Sequence, residues 1–158
     1  MGNATVFYVG MNVSGSFLIT RKMINEFGKA TGDLNPIHFD TLAARAAGFS
    51  VDDGEVIAHG DLVIACANRI FTARYEHIVL SERQVRFIRP VRSGDTVEVE
   101  GAIDEISPPR QGPGAFLCIR SRFKSRGKLR LECVTRAFTR EQVDFSHPNS
   151  PSRRLLII

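Results

Sequence analysis

Three cysteines, Cys66, Cys118 and Cys133, are odd in number and widely spaced, which excludes a disulfide framework. Each sits in an apolar stretch that reads as helix or strand, so buried free thiols are expected. Long apolar runs are lacking as well. The longest, Leu62 to Ala67, falls far short of the roughly 20 residues that a membrane helix needs. The start has no basic-then-apolar secretory signature, Met1-Gly2 is not followed by the Ser or Thr at position 6 that myristoylation requires, and the final Arg-Arg-Leu-Leu-Ile-Ile matches no prenylation or peroxisomal address. A cytoplasmic protein is expected, away from membranes, in which the sequons at Asn3 and Asn12 carry no meaning. Nor is there a block of one charge: the net charge of +4 is spread along the chain, with no aromatic-rich basic motif and no zinc-finger spacing. Nucleic acid is not an expected partner, whereas a small phosphorylated carrier would suit diffuse positive charge.

What is present is ordinary globular composition, 43% hydrophobic and 24% charged over 158 residues, enough for one domain, placed at 1–140 with a tail at 141–158. After an extended start from Phe7 to Ile19, Thr20 is a plausible cap for a helix with an apolar stripe of Met23, Ile24, Phe27 and Ala30. Gly32 and Pro36 should end it, leaving 33–40 as a polar loop on a helix end, a common mounting for catalytic groups. Asp40 suits the cap of the Ala-rich piece that follows. From Asp61 to Arg74 a second helix is apolar on nearly every face and should be buried all round, with Asp61 at its positive end and Arg69 and Arg74 at its negative end.

The period then changes from 3.6 to 2. Val97, Val99, Gly101 and Ile103 alternate with acids; Leu117, Ile119 and Phe123 alternate with Arg120 and Arg122; Leu129, Leu131 and Cys133 alternate with Arg130 and Glu132. Strands are expected near 83–90, 95–106, 115–125 and 128–140, joined as antiparallel neighbours. A buried helix followed by such a meander is solved by wrapping the sheet around the helix, an α+β hot-dog fold. The exposed sheet edge makes a homodimer the natural expectation.

The segment Phe27-Gly-Lys-Ala-Thr-Gly-Asp-Leu-Asn-Pro-Ile-His-Phe-Asp40, with Ile57-Ala-His-Gly60 at the head of the apolar helix, resembles the MaoC-like (R)-specific enoyl-CoA hydratases. Arg86-Phe-Ile-Arg-Pro-Val-Arg-Ser-Gly-Asp95 is similar to the strand and turn that follow in that family. The resemblance implies a hydro-lyase (dehydratase) that adds or removes water across the double bond of a 2-enoyl thioester, giving the (R)-3-hydroxyacyl thioester. It needs no separate cofactor, since coenzyme A or the phosphopantetheine of an acyl carrier protein belongs to the substrate. Hydration requires a base for water, an acid for C2 and donors for the thioester oxygen. Asp33 and His38 match the family's proton-transfer pair. The sequence leaves open which is base and which acid; the expectation is Asp33 as base and His38 as acid. Asn35 matches the positioning amide, and Gly60 the residue whose backbone N–H faces the thioester oxygen.

Asp61 stands where the family commonly has an apolar residue, and Asn68 follows seven residues later; both are candidate substrate contacts. Asp61 makes a non-catalytic acyl-thioester-binding subunit the alternative from outside enzymology; within enzymes the hydrolytic alternative is a hot-dog thioesterase. His59 reads as an orienting residue. Asp33, His38, Asp40 and His59 could ligate a metal by type but lack compact zinc spacing, and no metal is expected. His77 and His147 read as surface. Arg86, Arg89 and Arg92 read as a solvated strand face, with contact of one of them to a coenzyme phosphate as the alternative.

Overall fold

The computed structural model describes residues 6–72 and 78–146. Thr20 Oγ1 accepts a hydrogen bond from the Met23 amide at 3.1 Å and opens helix α1 (Arg21–Thr31). Gly32, left-handed at φ 77°, closes it by donating to the Gly28 carbonyl at 2.9 Å. Both ends agree with the reading of the sequence. The stripe differs at one position, because Ala30 is exposed and Gly28 is buried instead. Asp40 caps α2 (Thr41–Ala46), its Oδ1 accepting from the Leu42 and Ala43 amides.

Helix α3 (Gly60–Thr72) sends Leu62, Val63, Ile64, Ala67 and Ile70 into the core. Asp61, Ala65 and Arg69 form an exposed stripe at i, i+4, i+8, so the expectation of burial on every face fails along that line. Arg74, His77 and His147 lie outside the described residues.

Around α3 curves a five-stranded antiparallel sheet in the order β2-β4-β5-β6-β3, made of Asn12–Leu18, Thr96–Ser107, Ala115–Ser125, Lys128–Thr139 and Ile78–Phe87. Gly15 in β2 lets the helix approach, since a Cβ there would lie 3.1 Å from Ile70 Cδ1. This is the hot-dog arrangement. Two short strands, β1 (Val6–Phe7) and β7 (Gln142–Val143), pair in parallel, so the segment set apart as a tail begins as part of the fold.

Two corrections concern the sheet. The strand expected at 83–90 runs from Ile78 to Phe87; it is the sheet's edge, with a bulge between Leu80 and Glu82 that breaks alternation. Arg130, placed on the solvated face of β6, is 4% exposed. Cys66, Cys118 and Cys133 are free thiols, of which only Cys133 is fully buried. Among the described residues no helix is long and apolar enough to cross a membrane.

Candidate active site

Where α1 ends, two nested turns shape the loop. Asp33 Oδ1 accepts from the Asn35 amide and Asn35 Oδ1 accepts from the Ile37 amide, each at 3.3 Å. They deliver Pro36–His38 as a single 3₁₀ turn capped by Asn35. Asn35 is thereby fastened to the backbone that presents His38.

The His38 ring is buried, and its Nδ1 lies 2.8 Å from the Ile57 carbonyl. A carbonyl only accepts, so Nδ1 carries the hydrogen, and the neutral ring keeps its lone pair at Nε2. Burial lowers the His38 pKa below its ordinary 6.5; the Ile57 bond opposes this, His59 adds to it, and Asp33 opposes it. The imidazole is therefore neutral at pH 7.

His59, 2% exposed, stacks on His38 with ring centroids 3.8 Å apart and planes tilted by 26°. Its Nε2 donates to the Asp33 carbonyl at 3.1 Å and stands 4.0 Å from Asp33 Oδ2. Phe27 and Phe39 pack their rings around it at 5.1 and 6.0 Å. His59 is a post to which the Asp33 loop is tied, as the orienting reading has it. One side-chain atom each from Asp33, His38 and His59 falls within 4.8 Å of the others. Two of the four ring nitrogens in this set are already engaged, His38 Nδ1 by the Ile57 carbonyl and His59 Nε2 by the Asp33 carbonyl. Asp40 is engaged in capping α2.

Gly60 opens α3, where the first-turn N–H groups have no partner within the helix. A Cβ on Gly60 would lie 2.5 Å from Phe87 Cε1, so a ring from the edge strand already rests on this glycine. Gly60 and Phe87 border a cavity of about 330 Å³ whose walls include Ile57, Val63, Pro90 and Leu131. Ile57, whose carbonyl holds His38, is thus also part of the wall of an apolar trough.

Asp61 lies on the exposed stripe of α3, away from the Gly60 and Val63 side that lines the trough. Asn68 Oδ1 accepts from Arg83 Nη2 at 2.7 Å, which ties α3 to β3. For neither does the geometry support the substrate contact expected of it. Arg86 is exposed beside Glu132, as expected; Arg92 is not on a solvated face, its side chain being 18% exposed and 3.8 Å from Glu55.

Residues missed from the sequence include Gly28, where a Cβ would meet Phe39 Cζ at 2.5 Å and the Asp33 carbonyl at 2.9 Å. Its place in the Phe27–Asp40 motif was the available signal. Arg21 was missed too; it donates to the Phe39 carbonyl and, at 2.9 Å, to the Gly54 carbonyl, clamping the loop to the acidic turn. Nothing local marks that role.

The fold is that of a hot-dog protein, in which Asp33 and His38 are brought together at a helix end. The family profile described as MaoC like domain matches residues 9–112, and the chain belongs to that family. A UPF0336 protein of Streptomyces avermitilis is 32% identical over 97 residues, covering 56% of this chain and 62% of that protein. The mitochondrial 3-hydroxyacyl-[acyl-carrier-protein] dehydratase of Arabidopsis thaliana is 29% identical over 107 residues, covering 68% and 61%. The chain spans about three fifths of the length of the curated relatives it matches. Among solved structures, an R-hydratase of Pseudomonas aeruginosa superposes with TM-score 0.67 at 27% identity, over 85% of this chain and 83% of the other.

Proposed function

We propose that the protein is a hydro-lyase that reversibly hydrates a 2-enoyl thioester to the (R)-3-hydroxyacyl thioester, carried on coenzyme A or on a carrier protein. The observation that carries this reading is the convergence of Asp33, His38 and His59 at one helix end, beside the first turn of α3. As water oxygen adds to C3, its proton goes to His38 Nε2; the imidazolium then returns that proton to C2, so one water is added with nothing left over. Asp33 accepts a hydrogen bond from the water's second hydrogen, which stays on the new C3 hydroxyl, and offsets the imidazolium charge. This reverses the sequence-based expectation, because the Nδ1 bond to Ile57 leaves the neutral ring an acceptor, not an acid. The Gly60 N–H, aided by the helix dipole, meets the charge that develops on the thioester oxygen.

Loss of enoyl absorbance on mixing with 2-enoyl-CoA or the carrier-bound equivalent tests the reading. Asp33→Asn and His38→Gln should each slow hydration by about 10²- to 10⁴-fold; rates equal to the parent's would overturn the assignment. Free-thiol release in place of hydration would identify a thioesterase, and ligand-induced stabilisation without turnover a binding subunit.

A homodimer is part of the proposal. Edge strand β3 exposes Val79, Leu80 and Phe87, which suits continuation of the sheet into a second copy. Two neighbours of the same fold were solved as complexes, HadBC and ChsH1-ChsH2, both of Mycobacterium tuberculosis. Sedimentation as a monomer at micromolar concentration would refute the dimer.

A further inference from the structure

Strand β6 contains one residue too many. Phe123 pairs with Leu131 and Lys124 with Leu129, which leaves Arg130 over as a bulge. A bulge re-aims its extra side chain, and here it turns Arg130 inward to 4% exposure. The Arg130 carbonyl accepts from the Ile88 amide at 2.8 Å and the Arg89 amide at 2.9 Å, so the end of β3 is locked to the bulge.

The guanidinium is only partly paired. Its Nη1 donates to the Pro90 carbonyl at 3.0 Å, its Nη2 stands 3.9 Å from Asp95, and its buried Nε has no hydrogen-bond partner among the described residues. Asp95 is already occupied, accepting from Arg126 Nε at 2.6 Å and from the Arg92 amide at 3.1 Å. Glu55 serves Arg126 and, at 3.8 Å, Arg92; Asp52 stands 3.8 Å from Arg126. Around a basin of about 350 Å³, Arg89, Arg92, Arg126, Lys128 and Arg130 thus outnumber their three carboxylates. Burial and the neighbouring arginines lower the Arg130 pKa, while Asp95 opposes them. An incompletely paired buried guanidinium is costly and suits a place where an anion enters.

The basin shares Arg89 and Pro90 with the apolar trough bordered by Gly60. Reading outward from Gly60, an oxyanion donor is followed by a neutral trough and then by excess positive charge. A phosphopantetheine thioester has the same order of chemistry: thioester, uncharged arm, phosphate. We propose that the basin around Arg130 binds a phosphate of the substrate's phosphopantetheine carrier. This rests on the thioester reading above and adds the charged handle to it.

Calorimetric titration of the full chain with coenzyme A, 3′-dephospho-coenzyme A and pantetheine tests the site without requiring turnover. Coenzyme A should bind at least about tenfold more tightly than pantetheine and lose that advantage as salt rises. The double variant Arg89→Ala/Lys128→Ala, on the exposed rim, should weaken coenzyme A by about tenfold and leave pantetheine unchanged. If 3′-dephospho-coenzyme A retains the affinity, the occupant is the phosphate linkage that a carrier protein shares; if it falls to the level of pantetheine, the occupant is the 3′-phosphate of coenzyme A. Equal affinity for coenzyme A and pantetheine, or a double variant indistinguishable from the parent, overturns the basin. Hydration of enoyl-pantetheine as efficiently as enoyl-CoA would sink the basin and keep the catalytic reading; phosphate-dependent binding with no hydration of any thioester would do the reverse.

Discussion

The imidazoles of His38 and His59 lie face to face with centroids 3.8 Å apart; His38 keeps its lone pair at Nε2, whereas His59 donates from Nε2 to the Asp33 carbonyl and keeps its lone pair at a buried Nδ1 that has no hydrogen-bond partner among the described residues. Two imidazolium rings cannot share that stack cheaply, and burial already disfavours charge on His38. Above pH 6.5 the folded and unfolded chains both hold this ring neutral. As pH falls below 6.5 the unfolded chain takes up the proton first, so stability declines towards the lowered folded-state pKa and levels off beneath it. Thermal unfolding across this window should show the decline, and the hydration rate should persist below pH 6.5 before its acid limb falls. His59→Phe should move the His38 titration upward, towards the ordinary value, in an NMR pH series. A downward shift would contradict the account.

Gly28→Ala should damage both fold and rate. The new methyl would stand 2.5 Å from Phe39 Cζ and 2.9 Å from the Asp33 carbonyl, so either the ring or the Asp33–His38 loop must move. Overpacking of this kind costs about 1–3 kcal/mol. Urea denaturation should record that loss, with hydration reduced more than stability alone explains. Full activity in the variant would mean that the loop tolerates displacement.

At Gly60 the obstacle is Phe87. Gly60→Ala drives a methyl into the ring at 2.5 Å, whereas Phe87→Ala removes the ring. The single Gly60 variant should lose activity, and adding Phe87→Ala should restore part of it, a coupling that a double-mutant cycle measures. Strict additivity would show that the ring does not set the requirement for glycine.

Asn68→Ala should lower stability by about 1–2 kcal/mol, because Arg83 loses a half-buried acceptor at 2.7 Å. The KM for enoyl thioester should stay within about twofold of the parent's. A large rise in KM with unchanged stability would return Asn68 to the substrate site.

Much of the fold was legible because its signals are local. Thr20, Gly32 and Asp40 mark helix ends through bonds to residues within four positions, and alternate residues are buried over the length of β5 and over the first half of β4, up to its own bulge after Ile103. Legibility stopped at the bulges. The irregularity near Leu80 hid the first part of β3, and the one at Arg130 turned an arginine inward where period 2 points it outward. The Asp33–His38 loop was recognisable from its residue types, whereas Asp61 and Asn68 invited a substrate role only by their place on α3.

From the amino-acid order alone came the caps, the polar bend, the half-buried strands and the presence of one carboxylate and two imidazoles near two helix ends. The packed fold decided what those groups can do. The carbonyl that sets the His38 tautomer belongs to Ile57, 19 residues away, and His59 is 26 residues from the Asp33 carbonyl it holds. Proton placement follows from partners and burial that only long-range packing creates, and no spacing along the chain encodes them directly.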